Sequence, residues 1–315
     1  MKKFYSIDAA DVCVKQYCHA HSGDCPLLSK DSDLEVAGLP CWDFSIAGKR
    51  RMEEGPTNTA FITHAKRMVE KENLRIQMIK LLYGGHYNIK KLMTETDDVG
   101  HSGASRERVY LILSHKRKTV EIADPVAVYE KIRNFIRQSI QTTPSDYMVS
   151  SDSEVLREAA QLAVKRGMRA PATVAPGRLG VKKLLNKREK QAVAYLDHAY
   201  KQRAKQNPEF DPDLVYFLGD NPWNRIVWSA ASGRLPTLRM NRGLMWIPHR
   251  SRWLTARERL ASMGFPVTQA MAEAMGSMEI PIKDVQRASS AAGNAMHFGV
   301  VGLVQMVALA SYRRT

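Results

Sequence analysis

Apolar positions along this chain change period several times, and each change marks an element. Lys3-Phe4-Tyr5-Ser6-Ile7-Asp8 reads as a short strand ending in an acid, followed by a helix-like run from Ala9 to His21. A second strand-like run, Leu34, Val36 and Ala37, is stopped by Gly38 and Pro40. From Thr57 to Leu82, apolar residues such as Ala60, Phe61, Ala65, Met68 and Val69 recur at helical spacing among Lys, Arg and Glu. Tyr83-Gly84-Gly85-His86-Tyr87 predicts a turn, and 97–105 a polar loop. Val109 to Leu113, within 106–114, predicts a buried strand.

Beyond that strand the period is helical. Pro125 to Ile140 is amphipathic through Val128, Ile132, Phe135 and Ile136, and Ser153 is placed to cap a helix over 154–166. Thr142-Thr143-Pro144-Ser145 and the Pro-, Gly- and Ala-rich stretch 168–180 read as linkers. Val181 to Gln206 reads as one strongly basic helix. Helices are expected over 256–263 and 267–275, and an apolar helix from Ala295 to Ala310 closes the chain.

The 315 residues suffice for one large domain, or for a core domain with a smaller one inserted. Composition, 44% hydrophobic and 25% charged, is that of an ordinary soluble protein. Lys and Arg number 47 against 32 Asp and Glu, a formal charge of +15, which favours a polyanionic partner over one that is neutral or acidic-seeking. No apolar run has membrane-spanning length, and the first residues lack a signal peptide's apolar stretch. All four cysteines fall within the first 41 residues, which is no disulfide framework for this length and points to a reducing compartment. The expectation is a soluble intracellular protein with no membrane partner. Cys13, Cys18, His19, His21 and Cys25 contain no Cys-x-x-Cys pair and read as a helix with scattered thiols, so no metal site is expected.

One cysteine stands apart from the others. Gly38-Leu39-Pro40-Cys41-Trp42-Asp43-Phe44-Ser45-Ile46-Ala47-Gly48-Lys49-Arg50-Arg51 leaves Cys41 in a turn at a strand's carboxyl end, where open α/β sheets place reacting groups. Lys49, Arg50 and Arg51 would favour its thiolate, the nucleophilic form. The alternative is a small buried hydrophobe.

This segment resembles the Pro-Cys loop of the cytosine-5 DNA methyltransferases, Gly-x-Pro-Cys-x-x-Phe-Ser-x-x-Gly. Other blocks of that family follow in order. Ser105-Arg106-Glu107-Arg108-Val109-Tyr110 resembles its Arg-x-Arg strand. Pro236-Thr237-Leu238 resembles a short element before the next block. That block, Arg252-Trp253-Leu254-Thr255-Ala256-Arg257-Glu258 continuing to Gly264-Phe265-Pro266, is similar to Arg-x-Leu-Thr-x-x-Glu…Gly-Phe-Pro. Gly293-Asn294-Ala295-Met296 is similar to the Gly-Asn block that opens the family's last helix.

The resemblance implies a fold, a division and a chemistry. The fold is α/β, a Rossmann-like class I methyltransferase sheet incomplete at its N-terminus, with an inserted, mainly helical target-recognition region. The division is 1–123 for the catalytic and cofactor domain, 124–240 for the insert, and 241–315 for the return to the catalytic domain. The chemistry is transfer of a methyl group from S-adenosylmethionine to carbon 5 of a cytosine flipped out of double-stranded DNA. In that scheme Cys41 adds to carbon 6, Glu72 of Glu72-Asn73-Leu74 holds N3, and Arg108 holds the carbonyl oxygen. Asp8 would take the cofactor's ribose, and Asp24 of Ser22-Gly23-Asp24 would lie near its adenine. Asn294 belongs to the block whose helix closes the cofactor pocket. A nuclear location follows if the cell is eukaryotic.

Alternatives stay open at these positions. Asp8 also suits a helix N-cap, Asp24 a turn, Glu72 a solvated helix and Arg108 a strand-end surface cation. Trp223, Trp228, Trp246 and Trp253, interleaved with arginines, suit either a core or base and phosphate contact. The sequence also departs from the family. No Phe-x-Gly-x-Gly loop is found, Met68-Val69-Glu70-Lys71 gives no strand before Glu72, and Ala104 stands where the family has Gln. A non-catalytic nucleic-acid-binding relative and a tRNA cytosine-5 methyltransferase are therefore the competing readings.

Overall fold

A computed structural model describes residues 15–18, 22–26, 84–171, 179–239 and 243–315. These fall into two compact units: one holds the described residues up to 90 with 112–122 and 312–315, the other 91–111 with those from 123 to 311. Together they form a mixed α/β structure of small antiparallel sheets and seven α-helices, and a Rossmann-like parallel sheet is not among the described residues.

In the first unit, β1 (Lys15–Cys18) pairs antiparallel with β2 (Gly23–Pro26), Lys15 opposite Pro26 and Cys18 opposite Gly23. Residues 15–18 are thus strand and not part of a helix from 9 to 21. Ser22 takes the left-handed conformation, φ 49°, beside Gly23, and the reversal there sets the two segments against each other. β3 (Tyr87–Thr94) and β4 (Arg108–His115), whose residues divide between the two units at Lys90 and Ile112, pair antiparallel, with His86 bonded to Lys116 at one end and Thr94 to Arg108 at the other. β4 is half-buried: Ile112 and Ser114 are covered, while Val109 and Leu111 alternate to the exposed face, so the apolar run predicts more burial than the strand has. β5 (Thr119–Glu121) pairs antiparallel with β9 (Tyr312–Arg314), near the chain's end.

The second unit carries the helices. α1 (Pro125–Ser139) starts where predicted, with Asp124 accepting from the N–H of Val126 and Pro125 at the first position. α2 (Asp152–Lys165) is capped by Ser151, not Ser153, because only Ser151 has a glutamate three residues on, Glu154, to close a reciprocal capping box. The basic stretch is not one helix. A turn of 3₁₀ over Val181–Leu184 ends at Leu185, and α3 (Lys187–Ala204) begins again under a second capping box, Asn186 with Glu189.

Between these helices lies a three-stranded antiparallel sheet of β6 (Tyr216–Phe217), β7 (Met245–Ile247) and β8 (Arg252–Trp253), with Trp246 facing both Tyr216 and Trp253. Val155, Ala159 and Ala163 line one face of α2, and Ala192, Val193 and Leu196 one face of α3. Both faces share a core with Trp228, Trp246 and Trp253. A second core joins Met245, Ile247 and Leu254 to α4 (Ala256–Ala261), α5 (Gln269–Ala274) and α6 (Val285–Asn294), where Ala261 and Ala292 are fully buried. α7 (Phe298–Ser311) packs through Val300, Leu303, Val304 and Val307 against α1. Gly293-Asn294 therefore ends α6 and does not open α7, since Ala295 to His297 break the path between them. Among the described residues no single helix is long and apolar enough to cross a membrane; α6 and α7 reach that composition only together and bend by 45° at their break.

One buried ion pair fixes the join between β8 and α4. The Arg252 guanidinium meets Glu258 through two bonds of 2.7 Å, with the residues 3% and 0% exposed. Glu258 also accepts from the backbone N–H groups of Thr255 at 2.9 Å and Ser150 at 3.1 Å. Removing one partner strands the other charge without water, so Glu258→Ala is expected to cost about 3–5 kcal/mol of stability. Urea unfolding measures it, and a loss below about 1 kcal/mol, the worth of a surface pair, would show that the pair is not buried in solution.

Candidate functional site

Three of the sequence blocks, Arg-x-Arg, Pro-Thr-Leu and Gly-Asn, meet at Arg106, just before β4. Its backbone N–H donates to Glu95 Oε1 at 2.6 Å. Its buried guanidinium donates to three carbonyls: Leu238 at 2.9 Å, Gly293 at 2.9 Å and Ala295 at 2.7 Å. A guanidinium carries five donors on three nitrogens in a fixed fork, and so spans acceptors from two segments that a lysine's three donors on one nitrogen would have to share. Two of these carbonyls lie at the end of α6, where last-turn carbonyls have no helical partner and the helix dipole favours a cation.

The Gly264-Phe265-Pro266 turn closes on the same place. Gly264 has φ +75°, and a Cβ there would come within 2.8 Å of the His297 ring. The N–H of Phe298 donates to Met263 O at 2.8 Å, and the Phe265 and Phe298 rings are 5.7 Å apart. His297 is buried, its Nδ1 accepting from the N–H of Val300 at 3.4 Å while Nε2 has no hydrogen-bond partner among the described residues. The His101 ring stands edge-on to it at 4.5 Å and stacks on Tyr147 at 5.6 Å. Burial, with smaller contributions from His101 and Arg106, holds His297 down to about 3, and burial also lowers His101. Both imidazoles are neutral near neutral pH.

An acidic turn braces Arg106 from the other side. Glu95 caps a 3₁₀ turn over Thr96–Val99. Arg137 of α1 reaches Asp97 at 2.9 Å and Asp98 at 2.6 Å, and Arg234 reaches Asp97 at 3.1 Å. Buried Asp98 also accepts from the Tyr129 hydroxyl at 2.6 Å, and burial with that bond raises the phenol's pKa.

The candidate residues themselves are placed as follows. Asp8, Cys41 and Glu72 lie outside the described residues. Arg108 opens β4, half-buried, its guanidinium donating to the carbonyl of Glu107 at 2.6 Å. Asp24 is exposed on β2, opposite Tyr17, and Asn294 is exposed at the last position of α6. Of the four described tryptophans, Trp228, Trp246 and Trp253 are core, with Trp253 Nε1 donating to Glu158 at 3.1 Å, and Trp223 is exposed. Among the described residues no group of three or more His, Cys, Asp or Glu is arranged to hold a metal ion.

Sequence reasoning singled out Arg108 and passed over Arg106, His101 and His297. The signal for Arg106 was present, since it opens the Arg-x-Arg pair, but residues two apart share one face of a strand, so alternation does not separate its role from that of Arg108. His297 follows the Gly-Asn block by three residues, but nothing local marks it as buried. No protein-family model and no curated protein sequence matches this chain.

The depressed His297 value predicts an acid limb. As pH falls, the unfolded chain takes up a proton near 6.5, while the folded ring does so only near 3. Stability held by the neutral ring is complete above 6.5 and is lost from there downward, at up to about 1.4 kcal/mol per pH unit. Urea unfolding between about pH 7 and pH 5 should therefore show a fall that is smaller in His297→Gln. Equal falls in both proteins would place this ring in water.

Proposed function

We propose that this chain is a relative of the cytosine-5 DNA methyltransferases that transfers a methyl group to carbon 5 of a flipped-out cytosine, with Cys41 as nucleophile. The observation that supports it most is the Arg106 clamp. The Arg-x-Arg, Pro-Thr-Leu and Gly-Asn blocks are 132 and 187 residues apart in sequence, yet one guanidinium bonds to all of them. The Gly-Phe-Pro turn packs on the residues just after the Gly-Asn block. Blocks that match a family by chance have no reason to meet. The formal charge of +15 suits a nucleic-acid partner, and a nuclear location belongs to the same reading.

In this reading the Rossmann-like sheet, the nucleophile Cys41 and the base-holding Glu72 belong to the first part of the chain. Arg108 would hold the cytosine's carbonyl oxygen, the point where negative charge gathers once a thiolate has added to the ring. S-adenosylmethionine would supply the methyl group. Of its candidate contacts, Asp24 and Asn294 are both exposed.

The test is incubation of the full chain with duplex DNA, transfer RNA and S-adenosylmethionine labelled in its methyl group. Label at carbon 5 of cytosine in DNA, abolished by Cys41→Ser, is expected. Label in transfer RNA alone would move the substrate to RNA. Salt-sensitive DNA binding with no label in either acceptor would make the chain a binding relative and overturn the catalytic assignment.

A further inference from the structure

Trp223 breaks the rule that the other described tryptophans follow. It is 52% exposed, on the turn from Leu218 to Ile226, while Trp228, Trp246 and Trp253 are at most 7% exposed. An exposed indole on a loose loop would mean little, but this turn is pinned along its length. The N–H of Leu218 donates to Leu244 O at 2.8 Å, and Leu218 O accepts from the Arg188 guanidinium on α3. Asp220 takes two bonds of 2.9 Å from Arg239. The Asn221 side chain accepts from the N–H of Trp223 at 3.2 Å, and its carbonyl accepts from Asn224 and Arg225 at 3.1 Å. Gly219 passes so close to Gly243 that a Cβ on Gly243 would lie 2.6 Å from the other backbone. The fold thus holds a large aromatic face in water, in one position, with its ring 5.3 Å from that of Tyr195 on α3.

The charge around this ring has one sign. α3 carries Lys187, Arg188, Lys190, Lys201 and Arg203 against Glu189 and Asp197. Glu189 is neutralised by Arg166 through bonds of 2.7 and 2.8 Å, and Asp197 accepts the Tyr216 hydroxyl at 3.1 Å. Asp220, nearest in sequence to Trp223, is held by Arg239. Exposed on the same turn are Asn224 and Arg225, and exposed on α3 at four and seven residues from Tyr195, on the side that carries it, are Gln191 and Arg188.

We propose that Trp223, backed by Tyr195, is a stacking platform for an unpaired nucleobase, with Arg188 and Arg225 taking the flanking phosphates, so that this face binds single-stranded nucleic acid. A base inside a duplex has both faces covered by its neighbours and cannot offer one to the indole; an unstacked base can. The arginines alone would accept phosphates of either form, so the tryptophan sets the strand preference. The inference takes its nucleic-acid partner from the proposed function and adds the strand state and the residues that read it.

Fluorescence anisotropy of a labelled DNA strand, alone and annealed to its complement, tests this on the full chain. Trp223→Ala is expected to weaken single-strand binding by about 5- to 150-fold, the worth of one base–aromatic stack, and to change duplex binding less than about twofold. Trp223→Phe keeps a stacking face and is expected to retain most of the affinity. Circular dichroism checks that both variants are folded, as the exposure of the side chain predicts. An unchanged single-strand affinity in Trp223→Ala, an equal loss on both forms, or a wild-type chain that binds no single strand overturns the platform. Methyl transfer is not read in this assay, so loss of transfer with stacking intact overturns the proposed function alone.

Discussion

A guanidinium buried among three backbone carbonyls is the constraint on which the described fold most depends. Carbonyls left in a dry interior without a donor cost about 1–3 kcal/mol each. Two of the three here stand at the end of α6, where the helix can supply no donor. Arg106 satisfies them and the Leu238 carbonyl at once, and its backbone N–H is held by Glu95. The strand that follows, the loop before β7 and the α6–α7 junction are thereby fixed to one point. Gly264 and His297 then meet there at a distance that admits no side chain larger than hydrogen on the glycine.

The same unit has a second rigid centre, built on different physics. Arg252 and Glu258 lock β8 to α4 in a dry ion pair, and three tryptophans fill the space between α2, α3 and the small sheet. Against this background the exposed surface is free to specialise. The charges on α3 that are not paired inward point outward, and the pinned turn beside them carries the one exposed tryptophan of the described residues.

Local signals account for much of what the sequence reveals. Val128, Ile132, Phe135 and Ile136 after Pro125 announced α1, and the helix signals from Ala256 announced α4, because helical period is a property of a few neighbouring residues. Reading failed where two local choices compete or where a partner is distant. Ser153 is as good a cap as Ser151 until Glu154 closes the box with one of them. Lys182 to Lys205 looks continuous until Asn186 finds Glu189 and restarts the helix. The residues of β1 match a helix in type, and only pairing with Gly23–Pro26 makes them strand. At the site, the order of blocks was legible while their roles were not. That Arg106 is buried against the Leu238, Gly293 and Ala295 carbonyls while Arg108 donates to Glu107 depends on residues far away in sequence.

The most direct measurement of the central claim is amide hydrogen exchange in Arg106→Lys, which keeps the charge but loses the fork that spans the two segments. The account predicts faster exchange at Leu235, Ala295 and Phe298, whose N–H bonds lie at the segments Arg106 joins, with α2 and α3 unchanged. Unaltered exchange at those amides, or the same acceleration throughout the unit, would contradict it.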